Sequence, residues 1–166
     1  MGMIRPAKSI DAFALVDILK ERYPEMRYAG QVAIDEVAAR RLFAQAVQRH
    51  GGTTEGATFL MVSEREGVID AFMLGMLSRV YMIGDMLSAS DVFLIGKRGC
   101  DPRAVTGLID RYLEWADGNP RVYEVGLSHA DTIPGSERII DVFKRRGLTL
   151  CATTYRRDRI PQEMAA

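Results

Sequence analysis

The spacing of apolar positions along the chain changes several times, and each change marks an element. Residues 3–6 read as a short strand. Ser9 reads as a helix N-cap with Asp11 in the first turn, where a carboxylate suits the helix dipole. Ala14, Leu15, Ile18 and Leu19 then fall on one helical face. Tyr23-Pro24 ends that helix, because a residue before proline is pushed out of the α region. Residues 25–33 read as a loop. A second helix is expected over 35–49, with Ile34, Ala38, Leu42 and Ala46 sharing one face, Phe43 and Val47 flanking it, and Gly51-Gly52 as its stop.

The period then shortens to that of strands. Residues 58–63 and 68–77 flank Glu64-Arg65-Glu66-Gly67, a hairpin signal with Gly67 suited to a positive φ. A further strand is expected at 91–95. Asp101 as N-cap and Pro102 at the first helical position open the next helix. Val105, Leu108, Ile109, Tyr112, Leu113 and Ala116 line its inner face, and Asp117-Gly118-Asn119-Pro120 ends it. Residues 122–128 form a strand, 136–146 a helix closed by Lys144, Arg145, Arg146 and Gly147, and 149–155 a last strand. The order is β-α-α-β-β-β-α-β-α-β. The unit from 91 to 128 predicts a right-handed βαβ crossover. With the antiparallel hairpin before it, this predicts an α/β (α+β) fold with a central twisted mixed sheet and helices on both faces.

Composition narrows the class of protein. The chain has 166 residues, 48% of them hydrophobic, enough to build one domain around its own core, expected to span 1–166. Twenty-two basic and 22 acidic residues cancel, which argues against sequence-independent nucleic-acid binding driven by phosphate neutralisation. Cys100 and Cys151 lie far apart, and no Cys/His spacing suggests a metal site, so reduced thiols in a cytoplasmic protein are expected. No signal peptide and no apolar run of membrane-spanning length is read.

Several stretches resemble the GCN5-related N-acetyltransferases (GNAT). They are Ile4-Arg5-Pro6-Ala7 before a helix, Leu108-Ile109 through Glu114-Trp115-Ala116, Val142-Phe143-Lys144-Arg145-Arg146-Gly147-Leu148, and Thr154-Tyr155-Arg156-Arg157. In the order above they cover nearly the whole chain, and they are most similar to acetyltransferase-like proteins encoded by phages and prophages. The resemblance implies a GNAT acyl-CoA N-acyltransferase fold with about four helices. It also implies acetyl-CoA as co-substrate and direct acetyl transfer to a primary amine in a ternary complex. A homodimer is an expectation of the same kind. The alternative is a catalytically degenerate fold serving as a binding or structural protein, a phage virion or accessory component included. A sensor that keeps the cofactor and has lost transfer is a third reading.

The same resemblance assigns the site. Acetyl-CoA would lie between strands 91–95 and 122–128, held apart by a bulge, with Phe93, Leu94 and Ile95 beside the pantetheine and Ser128 near it. The diphosphate would sit over the next helix N-terminus, where free N–H groups attract an anion. The family loop Gln/Arg-x-x-Gly-x-Gly/Ala is replaced by Lys97-Arg98-Gly99-Cys100-Asp101-Pro102-Arg103-Ala104. Lys97, Arg98, Gly99, Arg103 and Ala104 remain as cofactor-binding candidates. The second glycine is missing, Pro102 lacks an N–H, and Asp101 puts a carboxylate where a phosphate would lie. Asp91, Glu124 and Tyr28 are the catalytic candidates, with Asp91 as general base. Phe143 stands where the family carries a proton-donating tyrosine; a thiol leaves tolerably as thiolate without one, and Tyr28 or Tyr81 could substitute. His129, at the carboxyl end of a strand, reads either as a site residue or as a plain polar group. His50 reads as a helix-end residue, and the methionines from Met73 to Met86 as packing.

Overall fold

The computed structural model describes residues 2–158. Five strands form one sheet in the order β1-β2-β3-β4-β5: β1 (Met3–Pro6), β2 (Thr58–Arg65), β3 (Val68–Arg79), β4 (Leu87–Gly96) and β5 (Val122–Gly126). β1 to β4 are antiparallel neighbours, and β4 and β5 are parallel, joined through α3 (Pro102–Asp117). The chain therefore has the mixed sheet with helices on both faces that the pattern predicts. The strands run longer than their apolar cores, because β4 begins at Leu87 among serines whose ladder bonds need no apolar side chain.

Alternation sorts the sheet into two faces. Leu60, Val62, Phe72, Leu74 and Ile95 pack under α1 (Ala12–Arg22) and α2 (Glu36–Gln48). Phe59, Ala71, Met73, Leu77 and Ala89 pack under α3, against Ala104, Leu108, Tyr112 and Ala116. Phe43 of α2 meets Phe72 edge-on at 5.4 Å, and Tyr112 of α3 meets Phe59 edge-on at 5.6 Å. Such pairs add about 0.5–1.5 kcal/mol beyond the burial of their rings.

The helix termini follow local chemistry. Asp35 caps α2 by accepting the Ala38 N–H, and Asp101 caps α3 by accepting the Arg103 N–H, both at 2.9 Å. Ser9 is not a cap. It opens a 3-10 turn, and Asp11 turns back to accept the Lys8 N–H at 2.7 Å. Arg5 of β1 bridges Asp11 (2.7 Å) and Glu64 of β2 (2.6 Å), which pins the first turn to the sheet. The expected helix 136–146 is a 3-10 turn at Ser136–Arg138 followed by α4 (Ile139–Arg145), tied to α3 by Arg146 on Asp110.

One expected element does not form. Residues 149–155 pair with no strand among the described residues and lie exposed, Leu150 at 90% and Tyr155 at 92%. Their alternation suits a strand, yet Arg156 is drawn onto Asp131 at 2.8 Å and Arg27 onto Asp158, which holds the arm at its far end. No helix among the described residues is long and apolar enough to cross a membrane.

Candidate active site

The sheet opens at one place. Parallel pairing between β4 and β5 runs from Leu87↔Val122 to Ser90↔Gly126 and stops there. Beyond it β4 continues to Gly96 paired only with β3. The register on the β3 side jumps from Gly75↔Asp91 to Leu74↔Phe93, so Val92 is an extra residue, a β-bulge. A bulge bends its strand, and this one sits where β4 leaves β5. The gap expected between these strands is present, and Phe93, Leu94 and Ile95 lie along it. Their side chains are packed into the core: Phe93 stacks near Phe43 and Phe72, Leu94 lies on the α3 side, and Ile95 is buried. On the β5 side, the peptide groups of 93–95 have no ladder partner among the described residues.

Asp91 stands at the fork. Its Oδ1 accepts the N–H of Ser128 at 2.8 Å, bridging the parted strands one step past the last ladder pair. Burial pushes this carboxyl above its ordinary range, and the Ser128 hydrogen bonds oppose the shift. The structure thus brings Asp91 and Ser128 together, with the Ser128 amide engaged by Asp91. Tyr112 closes the fork from below. Its hydroxyl donates to the Gly126 carbonyl at 3.1 Å, and burial together with the Asp91 charge drives its pKa far upward, so it stays a neutral phenol. Sequence reasoning placed Tyr112 only on a core face. The available signal was Gly75, whose Cα the ring approaches so closely that an added Cβ would lie 2.5 Å from it.

The other catalytic candidates stand elsewhere. Glu124 pairs with Ser88, is exposed, and points away from neighbouring Val125, which packs against the α3 cluster. Tyr28 lies in the loop after α1. Its carbonyl accepts from the Tyr23 hydroxyl, and the Arg27 guanidinium lies over its ring at 5.1 Å. Arg27 N–H reaches the Thr132 carbonyl at 3.0 Å, so this loop does close over the segment following β5. No hydrogen bond joins Tyr28 to Asp91 among the described residues. His129 meets the Ser136 hydroxyl at 3.3 Å, a contact that shapes the loop. Phe143 is buried in α4. Tyr81 sits at the far end of β3, 91% exposed. His50 accepts the Leu60 N–H on Nδ1 at 2.9 Å, and burial lowers its pKa.

The loop 97–104 follows β4 directly and is largely occupied by its own chain. Lys97 N–H donates to the Asp70 carbonyl (2.8 Å) and Cys100 N–H to the Lys97 carbonyl (3.2 Å). Arg98 N–H donates to Glu21 at 2.8 Å, and its guanidinium pairs with Glu25, holding that carboxyl below its usual range. Arg103 N–H goes to the Asp101 carboxylate and Ala104 N–H to the Asp101 carbonyl. Gly99, at φ +71°, and Asp101 carry the two amides of this loop without a partner among the described residues. The Cys100 thiol is pushed up by burial and by the Asp70 charge, so it is an un-ionised packing group. Glu21 and Glu25 were not anticipated, since nothing local in the sequence tells where α1 ends relative to this loop. Among the described residues no three His, Cys, Asp or Glu side chains are grouped to hold a metal ion.

The fold occurs in solved structures. A Clostridium acetobutylicum protein described as a predicted acetyltransferase, solved with acetyl-CoA, superposes with a TM-score of 0.67 at 15% identity, covering 95% of this chain and 96% of that one. The fold is that of the GNAT acetyltransferases. Glucosamine-6-phosphate N-acetyltransferase from Arabidopsis thaliana matches with a TM-score of 0.67 at 11% identity over 95% and 98% of the two chains. A transcriptional regulator from Bacillus halodurans matches at 0.70 and 12% identity over 96% and 100%. No family model and no curated protein sequence matches the chain.

Proposed function

We propose that the protein is an N-acetyltransferase that moves an acetyl group from acetyl-CoA to a primary amine. The observation that carries this reading is the parting of β4 from β5 after Ser90 and Gly126, with a half-buried carboxylate at the fork. Peptide groups of 93–95 would hold the pantetheine arm as a neighbouring strand would. The acetyl-CoA complex of the Clostridium protein, on the same fold, supports the choice of donor.

The chemistry asked of the chain is modest. The amine nitrogen forms a bond to the thioester carbonyl carbon, and the carbon–sulfur bond breaks. Asp91, directly or through water, takes the ammonium proton; a carboxylate with a raised pKa is a better base than an ordinary one. The leaving thiolate takes up a proton. Tyr112 keeps β5 in place by its bond to Gly126 and donates nothing to the reaction. At the diphosphate end, Lys97, Arg98 and Arg103 supply cations, and Gly99 and Asp101 supply amides. That end fits a diphosphate once Arg98 leaves Glu25 and the Asp101 carboxylate gives way.

A second reading rests on those same contacts. With Asp101 on the helix N-terminus and Arg98 paired, the loop is consistent with a non-catalytic binding or accessory protein, a virion component being one form of it. Two measurements separate the readings. Acetyl-CoA at about 100 times its dissociation constant adds about 2.7 kcal/mol of stability, visible as a rise in melting temperature. Release of free CoA thiol in the presence of an amine panel then reports transfer. A melting curve unmoved by millimolar acetyl-CoA would overturn the donor assignment, and a shift without thiol release would leave a sensor.

A further inference from the structure

Arg27 lies in the loop after α1, and its side chain is only 20% exposed. Its N–H donates to the Thr132 carbonyl at 3.0 Å, four residues beyond the Ser128 that Asp91 holds. That bond seats the loop on the segment leading away from the fork. The guanidinium lies 5.1 Å from the centre of the Tyr28 ring, which backs it from one side. A guanidinium held in this way can offer two parallel N–H groups to a carboxylate. Among the described residues one carboxylate meets it, that of Asp158, which takes a single bond from it. The other Asp158 oxygen is 3.5 Å from the Arg156 Nε. Asp158 is 60% exposed and lies on the segment that follows α4. Arg156 has a fuller partner in Asp131, which accepts from both of its terminal nitrogens at 3.1 and 2.8 Å. The Asp158 bond holds Arg27 above its ordinary pKa and the Arg156 charge works against it, so the two cations stand around the same carboxylate.

We propose that Arg27, backed by the Tyr28 ring and with Arg156 beside it, reads a carboxylate on the acceptor, and that Asp158 keeps that place until the acceptor arrives. The substrate class is then an amine that also carries a carboxylate, either a small amino acid or an acidic peptide. The proposal rests on the N-acetyltransferase reading, since it brings the acceptor's amine to Asp91. Three features select a carboxylate. A donor fork this far covered loses much if it is left unpaired. Its present partner comes from an exposed residue, and an exposed ion pair holds weakly, so exchange is easy. Asp158 uses half of the fork, so an incoming carboxylate that takes both N–H groups gains a bond the internal one does not make. An amine without a carboxylate leaves the Asp158 pair in place and gains nothing from Arg27.

Two matched pairs of acceptors test this: Ala-Glu-Ala amide against Ala-Gln-Ala amide, and γ-aminobutyrate against its amide. Binding to the whole chain is read by calorimetric titration, and transfer by release of CoA thiol from acetyl-CoA. In one of the pairs the carboxylate is expected to surpass its amide by about tenfold to a hundredfold in affinity and in kcat/KM. Which pair shows it tells a peptide from a small amino acid. Asp158→Asn removes the internal competitor and is expected to widen the preference by about twofold to fivefold. Arg27→Gln is expected to abolish the preference, and Arg27→Lys to keep part of it. Equal binding within both pairs, in the unsubstituted chain and in Asp158→Asn, overturns the proposal, as does a preference that Arg27→Gln leaves intact. Thiol released equally from acid and amide keeps the reaction and removes Arg27 as the reader. Preferential binding that depends on Arg27, without thiol release from any acceptor, keeps the carboxylate site and overturns the transfer reaction instead.

Discussion

Asp91 is the residue on which chemistry and stability pull in opposite directions. Its folded pKa is raised, whereas the unfolded chain titrates near 3.8. Between those values the folded protein keeps a proton that the unfolded chain has released. This carboxyl therefore stabilises the protein most below pH 3.8, and the contribution is lost as pH rises through the folded pKa. Asp91→Asn is expected to raise the melting temperature at neutral pH and to lower the rate of thiol release by about 10²–10⁴-fold, the usual contribution of a general base. Unchanged turnover would remove Asp91 from that role. His50 behaves the other way. It is half-buried with Nδ1 on the Leu60 N–H, and its folded pKa lies below 6.5. As pH falls below 6.5 the unfolded chain gains a proton that the folded one refuses, so stability falls in acid. His50→Asn, which keeps an acceptor near the Leu60 amide, flattens that slope in melts between pH 7 and 5. Asp91 was legible as a charge opening an apolar run. His50 was not, because the Leu60 N–H it meets belongs to a strand beyond the intervening turn.

At the scale of elements, the loop from Lys97 to Ala104 shows how a well-signalled helix start can carry unexpected chemistry. Asp101-Pro102 announced α3 correctly, since capping and a fixed φ are local properties. The same cap holds a carboxylate on the helix terminus, and Glu25 holds Arg98. Asp101→Asn keeps the cap and removes the charge. It is expected to tighten CoA binding about twofold to fivefold in a calorimetric titration, the range of about 0.3–1 kcal/mol for a charge at a helix end. Glu25→Gln is expected to shift affinity in the same direction and to steepen its dependence on salt, as Arg98 becomes free to meet phosphate. Gly75→Ala tests the packing of α3 on β3. The new methyl would lie 2.5 Å from the Tyr112 ring and 3.3 Å from the Ser90 carbonyl. A ring wedged in a core has little room to yield, so a loss of about 1–3 kcal/mol in denaturant unfolding is expected.

For the whole molecule, one sheet between two helical layers brings residues from four segments to one end. Asp91 comes from β4, Ser128 from beyond β5, Tyr112 from α3, and Glu21 and Glu25 from around the end of α1. Similarity to solved acetyltransferases exists at this level alone, with identities of 11–15% in the two acetyltransferases compared, so it establishes the fold and leaves the reaction to experiment.

Sequence by itself determined the order of elements, the cap of α3 and the apolar faces of α1 and α3. Each depends on residues within a few positions of one another, where backbone preferences and side-chain period act directly. It also pointed to 149–155 as a strand, and there local preference was overruled. A strand needs a neighbour, and this segment pairs with none among the described residues. The parting of these strands was expected from the resemblance, but tertiary structure alone decided that the bulge would fall at Val92 and that acidic side chains from around the end of α1 would meet Arg98. Those outcomes depend on which distant groups share a space, and no periodicity along a single segment encodes that.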